Sequence, residues 1–143
     1  TTRVVSEATA RELSLMMESV VSPTGTAPSA AIPGYRVAGK TGTAWRYNDK
    51  TGGYSGYTAS FIGFAPADAP RYVINVTIQD PRNGYYGGLL CGPVFKKVMT
   101  FVLQTKHVAP TGTKVLPVAL NQKDLTRMKA TQVSAEKSGA VRQ

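Results

Sequence analysis

What the chain holds little of narrows its chemistry first. Cys91 is the only cysteine and His107 the only histidine among 143 residues. A single thiol closes no disulfide within the chain, and the two together leave too few donors for the usual zinc sites. A Ser-His-Asp triad contained in this chain would have to use His107, the one histidine, and is not expected; the chemistry is expected to run without histidine, without metal and without a cofactor. Cys91 stands among Leu89, Leu90 and Val94, which suits a small buried hydrophobe better than a reactive thiol. No run is apolar enough to span a bilayer or to serve as a signal segment. Because Thr1-Thr2-Arg3 opens the chain without an initiator Met, any targeting segment is expected upstream.

Acidic residues are also few: Asp and Glu number 8 against 17 Lys and Arg, for a net charge of +9. Such an excess invites a nucleic-acid reading, so its location matters. Up to Gln104 there are ten basic and six acidic residues, and from Thr105 onward seven and two, so over half of the excess sits in the last stretch. No aromatic residue interleaves with those late charges. A solvated polar tail is therefore expected there, and no nucleic-acid partner. The length and an apolar fraction of 42% allow one domain or less.

Hydrophobic spacing predicts a helix over residues 6–21, capped by Ser6, with Leu13, Met16, Met17 and Val20 on its core face. A proline-rich loop follows over 22–34, with a short turn conceivable at Ala30-Ala31-Ile32. Strands are predicted over 35–45, 58–66 and 71–81, the last alternating Tyr72, Ile74, Val76 and Ile78 with more polar neighbours. Residues 46–57 read as turn chemistry throughout. The short links between strands imply an antiparallel meander. A second helix is predicted from Pro93 at its first turn to Thr105, with an apolar stripe of Val94, Phe95, Val98, Met99 and Val102. Beyond His107 the chain is expected to lie extended or disordered, with one weakly helical stretch over 120–128.

The stretch from Gly34 to Trp45, GYRVAGKTGTAW, has two readings. Its first eight residues fit the phosphate-loop pattern G-x-x-x-x-G-K-[ST] letter for letter, and VINVTIQD at 73–80 could supply an acidic strand end for an ATPase. A phosphate loop, however, needs a buried strand before it and a helix opening at its lysine. Here a proline-rich loop precedes Gly34, and Gly42, Thr43 and Trp45 make a poor helix start. Lys40-Thr41-Gly42 is equally the K-T-G element of penicillin-interacting serine enzymes. In a strand, Lys40 and Gly42 face one way and Thr41 and Thr43 the other. A strand edge offers unpaired backbone groups to an extended peptide, with Gly42 allowing close approach. Threonine hydroxyls and a lysine there can hold a carboxylate or a developing oxyanion.

The runs RVVSEATARELSLMMESVV, GYRVAGKTGTA, SFIGFAPADAPRYVINVTIQDP and GYYGGLLCGPVFKKVM, in that order and spacing, resemble the closing third of the transpeptidase domain of class B penicillin-binding proteins, nearest the cell-division type. The resemblance covers about residues 3–105. It implies an α/β (α+β) fold of the penicillin-binding transpeptidase and serine β-lactamase type, an antiparallel five-stranded sheet flanked by helices, with two strands from elsewhere in the chain. Residues 1–107 would be the C-terminal part of that domain and 108–143 a basic polar tail.

The implied activity is peptidoglycan D,D-transpeptidation, in which a serine takes an acyl group from one stem peptide and an amine of a second resolves it; β-lactams acylate the same serine. By resemblance Lys40 is the K-T-G lysine, serving catalysis and the substrate carboxylate. Thr41, Gly42 and Thr43 line the substrate strand, and the Thr43 N–H is one of two oxyanion donors. Tyr57, or the 46–57 loop, lines the acceptor side of the cleft. Stem peptides, β-lactams, the upstream part of the same domain and division proteins are the implied partners. The implied location is the extracytoplasmic face of the bacterial inner membrane, held by an upstream anchor.

The chain departs from the family in having no S-x-N, and its only S-x-x-K, Ser134-Ala135-Glu136-Lys137, follows K-T-G in a polar stretch and reads as a chance match. The nucleophile is expected in upstream sequence, which leaves this chain inactive by itself. A noncatalytic peptide- or partner-binding module of the same fold, and more remotely a phosphate-loop nucleotidase, stay open as alternatives.

Overall fold

The computed structural model describes residues 2–112; the helical stretch expected over 120–128, most of the expected tail and the Ser134 to Lys137 match lie outside the described residues. Helix α1 spans Glu7–Ser19. Ser6 caps it as expected, its hydroxyl accepting from the Thr9 N–H at 3.1 Å and so satisfying one of the orphan donors of the first turn. After a 3-10 turn at Pro28–Ala30, slightly earlier than the sequence suggested because Pro28 fits a first helical position, the chain forms strands β1 (Ala38–Asn48), β2 (Gly53–Ala65) and β3 (Tyr72–Gln79), then helix α2 (Gly87–Thr105). The strands pair antiparallel in the order β1-β2-β3, the meander that the short links implied.

The hairpin between β1 and β2 corrects the expectation of turn chemistry over 46–57. β1 runs on to Asn48 and β2 begins at Gly53, so the turn proper is residues 49–52. Cross-strand pairing Trp45↔Tyr57, Tyr47↔Tyr54 and Asn48↔Gly53 carries the ladder outward, with a register shift between Trp45 and Tyr47. Aromatic pairs across a ladder stabilise it by roughly 0.2–1 kcal/mol each, which outweighs the turn preference of the glycines between them. Gly56, at φ +74°, takes up the bulge that the shift requires.

The core lies between the sheet and α2. Cys91, Phe95, Met99 and Leu103 are fully buried at a spacing of four and meet Phe61 and Ala59 of β2; Phe61 and Phe95 pack edge to face with ring centroids 4.9 Å apart. Val94 and Val98, expected in this stripe, are 42% and 43% exposed. Periodicity puts them on the adjoining helix face, and only the position of the sheet decides which face is covered. α2 also begins at Gly87 rather than Pro93, which falls inside the helix. A proline there lacks the N–H for the carbonyl of Leu89, and Leu89 is exposed, within reach of water.

A second correction concerns α1. Leu13 and Met16 are 47% and 53% exposed, whereas Glu18 is 1% exposed. The carboxylate is neutralised by a two-pronged contact from Arg36: Nη2 donates to Oε1 at 2.6 Å and Nε to Oε2 at 2.9 Å. The hydrogen bond to Glu18 is the main reason the Arg36 guanidinium holds its proton even more tightly than usual, with burial opposing. This pair ties α1 to the segment leading into β1, four residues before Lys40.

Candidate functional site

β1 pairs on one side only among the described residues, so its outer edge is free. Lys40, Thr41, Gly42 and Thr43 sit mid-strand, opposite Ile62, Phe61, Ser60 and Ala59 of β2. This placement removes the geometry of a phosphate loop: Lys40-Thr41 lies inside an extended antiparallel strand, not at the start of a helix.

Strand alternation separates the motif into two sets, as the sequence implied. On the α2 side, the Thr43 hydroxyl accepts from the Gly87 N–H at 3.3 Å, and the Thr41 hydroxyl lies 3.3 Å from that of Thr26. On the other side Lys40 is exposed, its Nζ donating to the Thr41 carbonyl at 2.8 Å, which brings the ammonium back to the stretch that carries the hydroxyls. Gly42 faces Ser60 across the ladder: a Cβ there would meet the Ser60 hydroxyl, which would have to turn away.

The contacts around Thr41 and Thr43 depend on a close approach of α2. A Cβ on Gly87 would collide with the carbonyl oxygens of Ser60 and Gly42, and one on Gly88 with that of Thr26. The Gly87-Gly88 pair thus lets the helix start pack directly on β1, β2 and the loop at Thr26. Nothing local marks Thr26 as a site residue, whereas the Tyr-Tyr-Gly-Gly run leading into α2 carries a signal for Gly87, since paired glycines opening a helix cost stability and are suited to places where backbone must come close.

Tyr57 lies farther along the same side. Its ring stacks on Tyr85 at 4.5 Å and 16°, leans on Trp45 at 4.7 Å, and Tyr85 in turn touches Tyr86 at 4.5 Å. Tyr57 is therefore the middle of an aromatic row that continues the line from Thr41 and Thr43, and lies within β2, not in the turn. Behind it the Asp80 N–H donates to the Tyr57 carbonyl at 2.9 Å, and Asp80 faces Arg46 at 3.8 Å.

A broad cleft of about 820 Å³ lies elsewhere, between α1 and the opposite face of the sheet, with an apolar floor that includes Phe64, Tyr72 and Val73 and a charged rim that includes Arg11, Glu18, Arg36 and Asp68. None of the motif residues lines it. Cys91 is fully buried, as expected, and burial is the main influence pushing its thiol pKa up. Among the described residues no cluster of three or more His, Cys, Asp or Glu could hold a metal ion, and no helix is long and apolar enough to cross a membrane.

Residues 1–100 match the family described as penicillin binding protein transpeptidase domain. The chain is 44% identical over 110 residues to the probable peptidoglycan D,D-transpeptidase PenA of Neisseria gonorrhoeae, covering 76% of this chain and 19% of that protein. It is 44% identical over 109 residues to the peptidoglycan D,D-transpeptidase FtsI of Escherichia coli, covering 76% and 18%. The chain thus spans about a fifth of the length of these relatives.

Among solved structures, the apo transpeptidase domain of Burkholderia pseudomallei penicillin-binding protein 3 superposes with a TM-score of 0.68 at 46% identity, over 78% of this chain and 34% of that one. Penicillin-binding protein 3 of Mycobacterium tuberculosis, solved with ampicillin, gives 0.68 at 35% identity, over 78% and 27%. The mixed antiparallel fold and these matches place the chain in the penicillin-binding protein transpeptidase domain family.

Proposed function

We propose that this chain supplies the carboxylate-binding strand of a peptidoglycan D,D-transpeptidase of the cell-division type, as the C-terminal section of its transpeptidase domain. The observation that carries this reading is the arrangement at Thr43: its hydroxyl already accepts the Gly87 N–H, so its own hydrogen is available to a ligand on the strand edge, beside Thr41 and the Lys40 ammonium. Two hydroxyls and a cation on one open edge suit a terminal carboxylate.

In this reading a serine from upstream sequence attacks the penultimate D-Ala carbonyl of a stem peptide. Its oxygen bonds to the acyl carbon, the peptide C–N bond breaks, and D-Ala leaves with a proton. The amine of a second stem peptide then attacks the same carbon, and the serine departs with its proton restored. Lys40 holds the substrate carboxylate and the electrostatic link to the catalytic groups upstream. Thr41 and Thr43 bind the carboxylate, and the Thr43 N–H is one oxyanion donor. Gly42 lets the ligand come close to the strand, and Tyr57 with its aromatic row borders the acceptor side.

The free edge of β3 and the cleft beside α1 are where the remainder of the domain packs. Residues 1–107 belong to that domain, and 108–143, which hold much of the basic excess, lie beyond it. The complete protein is anchored at the extracytoplasmic face of the inner membrane and meets division proteins there.

The test is an intact-mass measurement on the complete protein and on this chain alone, before and after exposure to a penicillin. The complete protein gains one drug mass at a serine outside this chain, and the isolated chain gains none. Labelling within this chain would overturn the assignment, and an unlabelled complete protein would favour the noncatalytic binding module.

A further inference from the structure

The β1–β2 hairpin ends in an aromatic surface that starts at Trp45, the end of the Tyr57 row, and continues through Tyr47 and Tyr54, which the reaction chemistry leaves unused. Trp45, Tyr47 and Tyr54 are 62%, 53% and 69% exposed. They are not loose: Trp45 leans on Tyr57, and Tyr47 meets Tyr54 edge to face at 5.5 Å and 78°. The rings are therefore held in place before any ligand arrives, which lowers the ordering cost of binding.

Composition separates two kinds of occupant. Surfaces that dock other proteins also concentrate Tyr, Trp and Arg, but around a well-packed core depleted of Lys and Asp. Residues 45–57, WRYNDKTGGYSGY, contain no aliphatic side chain at all; around the rings stand only Arg, Asn, Asp, Lys, Thr, Ser and Gly. Aromatic faces set among planar polar groups suit a pyranose ring. Its C–H bonds carry partial positive charge toward the negative face of the aromatic ring, while its hydroxyls reach the polar groups alongside.

Direction along the strand agrees. A peptide lying on β1 with its carboxylate at Thr41 and Thr43 has one open path. Toward the strand start Val37, Ala38 and Gly39 are buried. Toward the hairpin the edge stays exposed, and four residues from Thr43 to Tyr47 cover about 13 Å at ~3.3 Å per residue. A stem peptide is joined to its sugar through its N-terminal end, the end that points toward Trp45 and Tyr47.

We infer that Trp45, Tyr47 and Tyr54 form a saccharide platform that binds the amino-sugar rings of the glycan strand bearing the stem peptide. The inference rests on the carboxylate-site reading for its direction, but the platform is measurable without it. The experiment is saturation-transfer NMR on the complete protein with the peptide-free N-acetylglucosamine–N-acetylmuramic acid disaccharide, alongside a penicillin acylation assay.

Sugar-ring protons receive saturation from the unsubstituted protein. Trp45→Ala or Tyr54→Ala weakens binding roughly tenfold, the size of one lost ring-stacking contact. Trp45→Phe, which keeps a ring in place, retains most of it and guards against simple misfolding. Lys40→Ala keeps the disaccharide signal and loses acylation. No signal with the unsubstituted protein, as when other parts of the chain or a partner cover the rings, overturns the platform. So does a signal unchanged in both alanine variants. Acylation unaffected by Lys40→Ala would instead overturn the carboxylate-site reading, and the disaccharide result separates the two.

Discussion

The N–H of Gly87, the first residue of α2, donates to the hydroxyl of Thr43 on β1 at 3.3 Å. The helix start thereby sets which way the Thr43 hydrogen points. Adding a methyl at Gly87 would press on the Ser60 and Gly42 carbonyls, so Gly87→Ala must push α2 away from β1. We expect a loss of about 1–3 kcal/mol in stability, the usual cost of overpacking, and slower penicillin acylation of the complete protein. Thermal melting with acylation kinetics checks both. An unchanged rate in a destabilised protein would show that the contact is only structural.

Lys40 is exposed and its one recorded bond is to a neighbouring carbonyl. Lys40→Ala in the complete protein should leave stability within about 0.5 kcal/mol while lowering the acylation rate by about 100-fold or more, the range for removing one electrostatic contact to a developing charge. Stopped-flow acylation with a chromogenic β-lactam measures the change, and an unaltered rate would remove Lys40 from the site.

The Glu18–Arg36 pair predicts an asymmetry. Glu18 is 1% exposed but the Arg36 side chain 19%, so the two partners are not equally able to turn to water when abandoned. Arg36→Ala strands a buried carboxylate and should cost about 3–5 kcal/mol; Glu18→Ala leaves a guanidinium that can reach solvent and should cost less. Chemical denaturation of both variants tests the order, and equal losses would contradict it. Arg36→Lys should recover only part, since an ammonium cannot make both bonds at once.

Cys91 carries a pH prediction. Its thiol pKa is raised above the ordinary 9.0, chiefly by burial. As pH rises past that value the unfolded thiol ionises first, so the folded state then binds more protons and stability falls with further increase in pH. Cys91→Ala should remove this alkaline slope, measured by denaturation at neutral and alkaline pH, while lowering stability at neutral pH through the small cavity it leaves.

The legible parts of the fold are those where local chemistry and packing point the same way. Ser6 caps α1 as its position suggested, and β3 alternates as its sequence does because one of its faces meets the core. The misread parts are those where a partner distant in sequence decides. Met16 and Leu13 share the apolar spacing of α1 yet stay exposed, while Glu18 is buried because Arg36 arrives from another segment. The hairpin reads as turn from sequence because its glycines are local signals, whereas the ring pairs that extend it act across the ladder.

By itself the sequence determined the order of elements, the meander and the motif strand, since short links and strand alternation leave few other arrangements. It also determined which motif residues share a side, because alternation has a period of two. Only the tertiary structure decided what stands opposite them. Thr26 and Gly87 come to Thr41 and Thr43, and Tyr85 to Tyr57, from positions far along the chain. These meetings depend on how closely α2 packs on the sheet, and that distance is set by two glycines whose missing side chains have meaning only once the backbone beneath them is in place.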